Sequence, residues 1–134
     1  DTTDDLRAAV CDALDFVHGE PDELRTVFQA IRIMVNQELD NLDKGMRAAI
    51  ERLNVGGRLV VLSFHSGEDR VVKQIMQTYS RKRQQLHPDG RVKSESTPVL
   101  KRITRKPMVP DEEEVRRNPR AKSVKLRIAE KLAI

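Results

Sequence analysis

The sequence predicts an α/β fold, with helices leading into the closing half of a largely buried sheet. Three observations predict it. From Leu24 to Leu53 apolar residues recur at helical spacing (Phe28, Ile31, Val35, Leu39, Leu42, Met46, Ile50). Leu59 to Leu62 then forms an unbroken apolar run without polar alternation, the mark of a strand covered on both faces. Beyond it, helix-like and strand-like segments alternate to the end of the chain.

Each element has a local reason. Thr2 and Thr3 followed by Asp4 and Asp5 read as a helix start, since a hydroxyl and early carboxylates satisfy open amides and the helix dipole. Leu6, Val10 and Leu14 continue that helix, and "HGEPDE" breaks it. The stripe from Leu24 is long for one globular helix, so a bend is expected near Asp40–Asn41, and Gly56-Gly57 ends it. "RLVVLSF" is expected as an inner parallel strand. Ser66 with Asp69 resembles a capping box opening a helix through Val72, Ile75 and Tyr79. Residues 81–97 are polar, basic and turn-rich, and read as a surface loop. "PVLKRITRK" reads as a strand that Pro98 places near an edge, and "VPDEEEVRR" as a short helix. "SVKLRIAEKL" sets Val124, Leu126 and Ile128 against Lys125, Arg127 and Glu130, the pattern of a half-exposed strand. The expected division is a helical segment over 1–55 and a sheet-bearing segment over 56–134.

Composition narrows the function. At 134 residues the chain is one domain or a piece of a larger one, and with 38% apolar but only 3% aromatic residues its core rests on Leu, Ile, Val and Met. The lone Cys11 excludes an internal disulfide and fits a reducing cytoplasm. His18, His65 and His87 show no zinc-ligand spacing, so no metal is expected. Without an apolar run near membrane-spanning length, and with an acidic start, a soluble cytoplasmic protein is expected. The net charge of +4 hides an asymmetry. Residues 1–62 hold 12 acidic and 7 basic residues, a net of −5, whereas residues 63–134 hold 9 and 18, a net of +9. A basic half points to a polyanion, with nucleic acid first; a solvated Lys/Arg-rich surface is the plainer alternative.

The densest chemistry follows the apolar run. Ser63, Phe64, His65, Ser66, Asp69 and Arg70 fall at the carboxyl end of a predicted strand, where open sheets bind ligands. A serine nucleophile would want a G-x-S-x-G elbow or an opposed Ser–His pair, and adjacent His65 and Ser66 supply neither. Neither phosphate-binding glycine motif occurs. Taken singly, Ser66 only caps a helix, Asp69 completes the cap and Arg70 pairs with an acid; together they favour a binding crevice. Asn36, a poor helix former one step past Val35, has either a hydrogen-bonding duty or plain exposure. In "NPRAKSVKLR", Arg120, Lys122, Lys125 and Arg127 serve as phosphate contacts or as a charged strand edge.

Three stretches, "FQAIRIMVNQEL", "GGRLVVLSFHSGEDRVVK" and "NPRAKSVKLRIAEKL", resemble in order and spacing the bacterial small-subunit ribosomal RNA cytosine-N4 methyltransferases (the RsmH/MraW family). The resemblance runs from Thr3 to Leu132, and SFHS-x-EDR is its most specific part. It implies a Rossmann-like class I methyltransferase sheet, S-adenosylmethionine as donor, and a small-subunit rRNA cytidine as acceptor. It also implies that the chain is a carboxyl-terminal portion whose cofactor site lies mostly elsewhere, completed by an amino-terminal half or a second copy.

Carried onto this sequence, the resemblance implies base contacts from Ser63, His65, Ser66 and Asn36. Phe64 stacks on the base or fills the core, and Asp69 orients His65 or Arg70. Arg70, Lys73, Arg117, Arg120 and Lys122 meet phosphates. The alternative is an inactive remnant serving as an RNA-binding or dimerisation module. Two departures stand out. Gly67 replaces the family's usual Leu, and Val27 is inserted between Thr26 and Phe28, which rotates what precedes it by about 100°.

Overall fold

The structure is a computed structural model describing residues 2–14, 19, 21–86, 88 and 92–132, with the side chains of 83–86 and 92–95 outside the description. His18 and His87 therefore lie outside the described residues. Two compact units divide between Glu38 and Leu39.

The first unit holds α1 (Thr3–Ala13) and α2 (Asp22–Asn36). Thr2 caps α1 in a reciprocal box: its hydroxyl accepts from the Asp5 amide at 3.2 Å, and its own amide donates to Asp5 Oδ2 at 2.7 Å. Neither helix has a fully buried residue, and Met34 and Val35 on α2 are each 71% exposed. The long apolar stripe does break, at Gln37 rather than at Asp40–Asn41. Gln37 adopts a left-handed conformation (φ 50°) and its amide donates to the Ile33 and Met34 carbonyls, closing α2.

The second unit begins with the rest of α3 (Glu38–Arg52) and contains β1 (Arg58–Ser63), α4 (Ser66–Tyr79), the hairpin β2 (Arg83–Leu86) and β3 (Val92–Ser96), β4 (Leu100–Arg102), α5 (Glu112–Arg117), a 3-10 turn (Pro119–Ser123) and β5 (Lys125–Lys131). Because α3 sends Met46 and Ile50 into the sheet's core, it belongs with the sheet, and the division falls earlier than 55/56. That core joins Met46 and Ile50 with Val72, Ile75 and Met76 of α4, Leu100 of β4 and Ala129 of β5. Separations of three and four residues from Val72 and from Tyr79 put Val72, Ile75, Met76 and Tyr79 on one face of α4.

The sheet has the order β1-β5-β4, antiparallel throughout. This corrects the expectation for β1: it pairs with β5 alone, and its exposure alternates, with Val60 and Leu62 55% and 54% exposed. An apolar run without alternation carries two apolar faces, but among the described residues only one of them is covered. Residues 83–86 and 92–96 also differ from the expected loop by pairing as two antiparallel strands, whose polar, basic sequence carries no alternation to read. β4 is an edge strand, as Pro98 indicated.

β5 reverses its expected polarity. Arg127, Ala129 and Lys131 are the buried set, while Leu126 and Ile128 lie half-buried on the other face. Lys131 Nζ donates to the Ile50 carbonyl at 2.5 Å, satisfying an open acceptor in the last turn of α3. At Gly57 a Cβ would fall 2.8 Å from the Asn54 carbonyl oxygen, so only glycine allows the tight entry into β1. Among the described residues, no helix is long and apolar enough to cross a membrane.

Candidate functional site

The chain turns from β1 into α4 through Ser63, Phe64, His65 and Ser66. His65, not Ser66, is the cap: its Nδ1 accepts from the Glu68 amide at 3.3 Å. Glu68 Oε2 in turn accepts from the amides of Phe64 (2.7 Å) and His65 (3.3 Å). The box thus sits one residue earlier than Ser66 and Asp69 suggested, which places Ser66 at the first helical position, exposed. Gly67 lets the imidazole lie close, since a Cβ there would stand 3.0 Å from His65 Nδ1 and 3.1 Å from Cε1. The usual Leu would force the ring to shift.

With Nδ1 accepting, the neutral imidazole carries its proton on Nε2. That nitrogen is buried and lacks a hydrogen-bond partner, with Glu68 Oε1 3.5 Å away. Beside it Phe64 is 59% exposed, so of its two expected roles the core one is excluded.

Two expected contacts point inward. Ser63 is 3% exposed and its hydroxyl donates to the Lys125 carbonyl at 3.3 Å, pinning β1 to β5. Asp69 orients neither His65 nor Arg70. It forms a two-pronged pair with Arg127, Nε to Oδ1 at 2.7 Å and Nη2 to Oδ2 at 3.1 Å, with Lys125 Nζ 3.7 Å from Oδ2. The Arg127 hydrogen bonds, opposed by burial and assisted by the Arg127 and Lys125 charges, hold the Asp69 carboxyl below its usual range.

From sequence Arg127 serves as a phosphate contact or as a charged strand edge, and its burial against Asp69 makes it neither. An arginine in an alternating strand normally faces water, and nothing in the sequence marks its partner 58 residues earlier.

The remaining residues lie outside. Arg70 and Lys73 are exposed on α4. Arg117 pairs with Glu113 one turn back, while Arg120 and Lys122 are exposed on the 3-10 turn. Register brings that turn to the site's end of the sheet, because it runs into Lys125, the partner of Ser63. Asn36 lies in the other unit, exposed, donating to Glu38 Oε1 at 3.2 Å. α2 runs unbroken through Val27, and Arg25 and Thr26 are exposed.

Comparisons with known proteins agree with this motif reading. The chain is 45% identical over 136 residues to ribosomal RNA small subunit methyltransferase H of Cupriavidus metallidurans, covering 98% of this chain and 41% of that protein. The protein of the same name from Cupriavidus necator is 46% identical over 137 residues, covering 98% and 40%. Its namesake from Bacteroides fragilis is 46% identical over 120 residues, covering 84% and 36%. The chain thus spans about two fifths of the length of these curated Cupriavidus relatives. A family model matches residues 1–132, and the chain belongs to the MraW methylase family.

Proposed function

We propose that the chain is the substrate-side part of an enzyme that methylates the N4 amine of a small-subunit rRNA cytidine, with S-adenosylmethionine as donor. Family membership and the relatives' names support rRNA methylation. For this chain the reading is carried by the His65 Nε2 proton, a buried donor that makes no hydrogen bond, with Glu68 Oε1 3.5 Å away and an exposed Phe64 ring alongside. Leaving such a donor unmet costs about 1–3 kcal/mol. A cytosine turned out of its stack supplies acceptors at N3 and O2 and a ring face.

In this proposal His65 donates to N3 or O2, Phe64 stacks on the base, and the Ser66 hydroxyl accepts from the amine. Ser63 and Asp69 hold the turn from beneath. Arg70, Lys73, Arg117, Arg120 and Lys122 meet phosphates. The amine is a weak nucleophile because its lone pair delocalises into the ring, so this chain's contribution is positioning.

The turn does not fit the donor itself. Glu68 Oε2 is engaged by two backbone amides and both Asp69 oxygens by Arg127, which leaves no carboxylate with two open oxygens for the paired ribose hydroxyls. The donor is assigned to residues outside this chain.

The test places His65→Ala, His65→Asn and Ser66→Ala in a full-length family member and follows methyl transfer in single turnovers. Asn restores a cap but not the Nε2 donor. A fall of about 100-fold for both His65 variants is expected; His65→Asn at the parental rate reduces His65 to a cap and ends the proposal. A second reading, an RNA-binding or dimerising remnant, is favoured by the uncovered apolar surface of α2 and β1. Calorimetry of this chain with S-adenosylmethionine tests what the two readings share, because clear binding contradicts placing the donor elsewhere.

A further inference from the structure

At the far end of the sheet from the β1–α4 turn lies a cleft of about 280 Å³ lined by Ser80, Leu100, Lys101, Arg102, Arg105 and Leu132, with Pro98 at its rim. The register fixes its distance from the turn. Leu100 pairs with Lys131, the last residue of β5, whereas Ser63 pairs with Lys125, the first. Six residue steps of strand separate them, roughly 20 Å.

We propose that this cleft is a second RNA contact, a site for backbone phosphates distant from the base-binding turn; it rests on the reading that the substrate is RNA. Its lining holds three cations and no acid. Among the described residues, none of the three lies within salt-bridge distance of a carboxylate. Lys101 and Arg105 are exposed and Arg102 half-buried. Unpaired like charges gathered around one depression repel each other, and an arriving polyanion relieves that repulsion.

The lining also decides which part of RNA fits. Apolar Pro98, Leu100 and Leu132 give no aromatic ring for a base to stack on, whereas three cations around one depression match the repeated charge of the backbone. The contact proposed is therefore to phosphate, which carries no sequence information. With Arg120 and Lys122 at the other end of β5, cations bracket the sheet over a length that an RNA segment spans and a single nucleotide does not. The cleft thereby extends grip beyond the nucleotide being modified.

The plainer role for these cations is to complement the carbonyl end of α4, whose last turn has no basic residue. The experiment separates the two. Binding of this chain to a fluorescent single-stranded RNA of about 20 nucleotides is measured between 50 and 200 mM KCl. The parent is compared with Lys101→Gln/Arg102→Gln/Arg105→Gln and with Arg117→Gln/Arg120→Gln/Lys122→Gln. Loss of three phosphate contacts is expected to flatten the slope of log affinity against log salt by about 2 and to weaken binding roughly tenfold at 100 mM. A cleft variant with parental slope and affinity overturns the inference, and a lowered unfolding midpoint without weaker RNA binding assigns the cations to α4 instead. If the parent shows no salt-dependent RNA binding, the RNA reading of the whole chain fails with it. Parental RNA binding left intact by the cleft variant sinks the cleft alone.

Discussion

The two faces of the β1-β5-β4 sheet are built from opposite materials. The face under α3 and α4 buries charge, with Arg127 and Lys131 6% and 4% exposed among Ile50, Val72, Ile75 and Met76. The other face shows Val60 and Leu62 of β1 to solvent, opposite half-buried Ile128 and Leu126 of β5. Burial alone would favour the reverse. The charged residues are tolerated inside because each is answered, Arg127 by Asp69 and Lys131 by the Ile50 carbonyl. On the open face apolar side chains wait on a surface that no described residue covers, in a chain two fifths as long as its relatives. Polar pairs on the covered face fix geometry, and the apolar open face offers area.

The largest expected effect breaks the covered face. Asp69→Leu leaves the Arg127 guanidinium buried without its main partner and should cost about 3–5 kcal/mol in urea unfolding. A cost below 1 kcal/mol would show that water reaches Arg127. Met76→Ala, a cavity in the same core, should cost about 2–5 kcal/mol.

The same pair sets an acid response. Because folding depresses the Asp69 carboxyl, its contribution is present above the unfolded-state value near 4 and is lost as pH falls through the lower folded value. Stability should therefore fall below about pH 4. Asp69→Asn should flatten that slope, and an unchanged slope would assign the acid response to other carboxylates.

His65→Ala removes the α4 cap and should cost about 1 kcal/mol, largely restored by His65→Asn. The smallest effect belongs to the open face. Leu62→Ser should change the stability of this chain by no more than about 0.5 kcal/mol. If it instead matches Met76→Ala, that face is packed and the contrast between the faces disappears.

Much of this was legible. The Thr2 cap, the helix over Ser66–Tyr79, the edge position announced by Pro98 and the order of the elements outside the β2–β3 ribbon all follow from local rules. The SFHS turn was legible as a cluster, and its role as a strand-to-helix corner follows from the apolar run before it. The inward turn of Ser63 was not, because a serine at a strand end reads the same whether it faces a ligand or a neighbouring carbonyl. The capping register slipped by one because sequence offered Ser66 and Asp69 as the usual partners, whereas an imidazole nitrogen and Glu68 fill the roles.

The sequence by itself determined the family, the order of every element except the β2–β3 ribbon, and the gathering of hydroxyl, imidazole and cation at one strand end. These are properties of spacing and residue type. Only the tertiary structure decided that Asp69 belongs to Arg127, that β5 turns its charges inward, and that Lys101, Arg102 and Arg105 share a cleft. Period-2 alternation tells which residues share a face of a strand, but not which face meets the core. That choice is made by partners tens of residues away, whose pairing leaves no periodic mark in the chain.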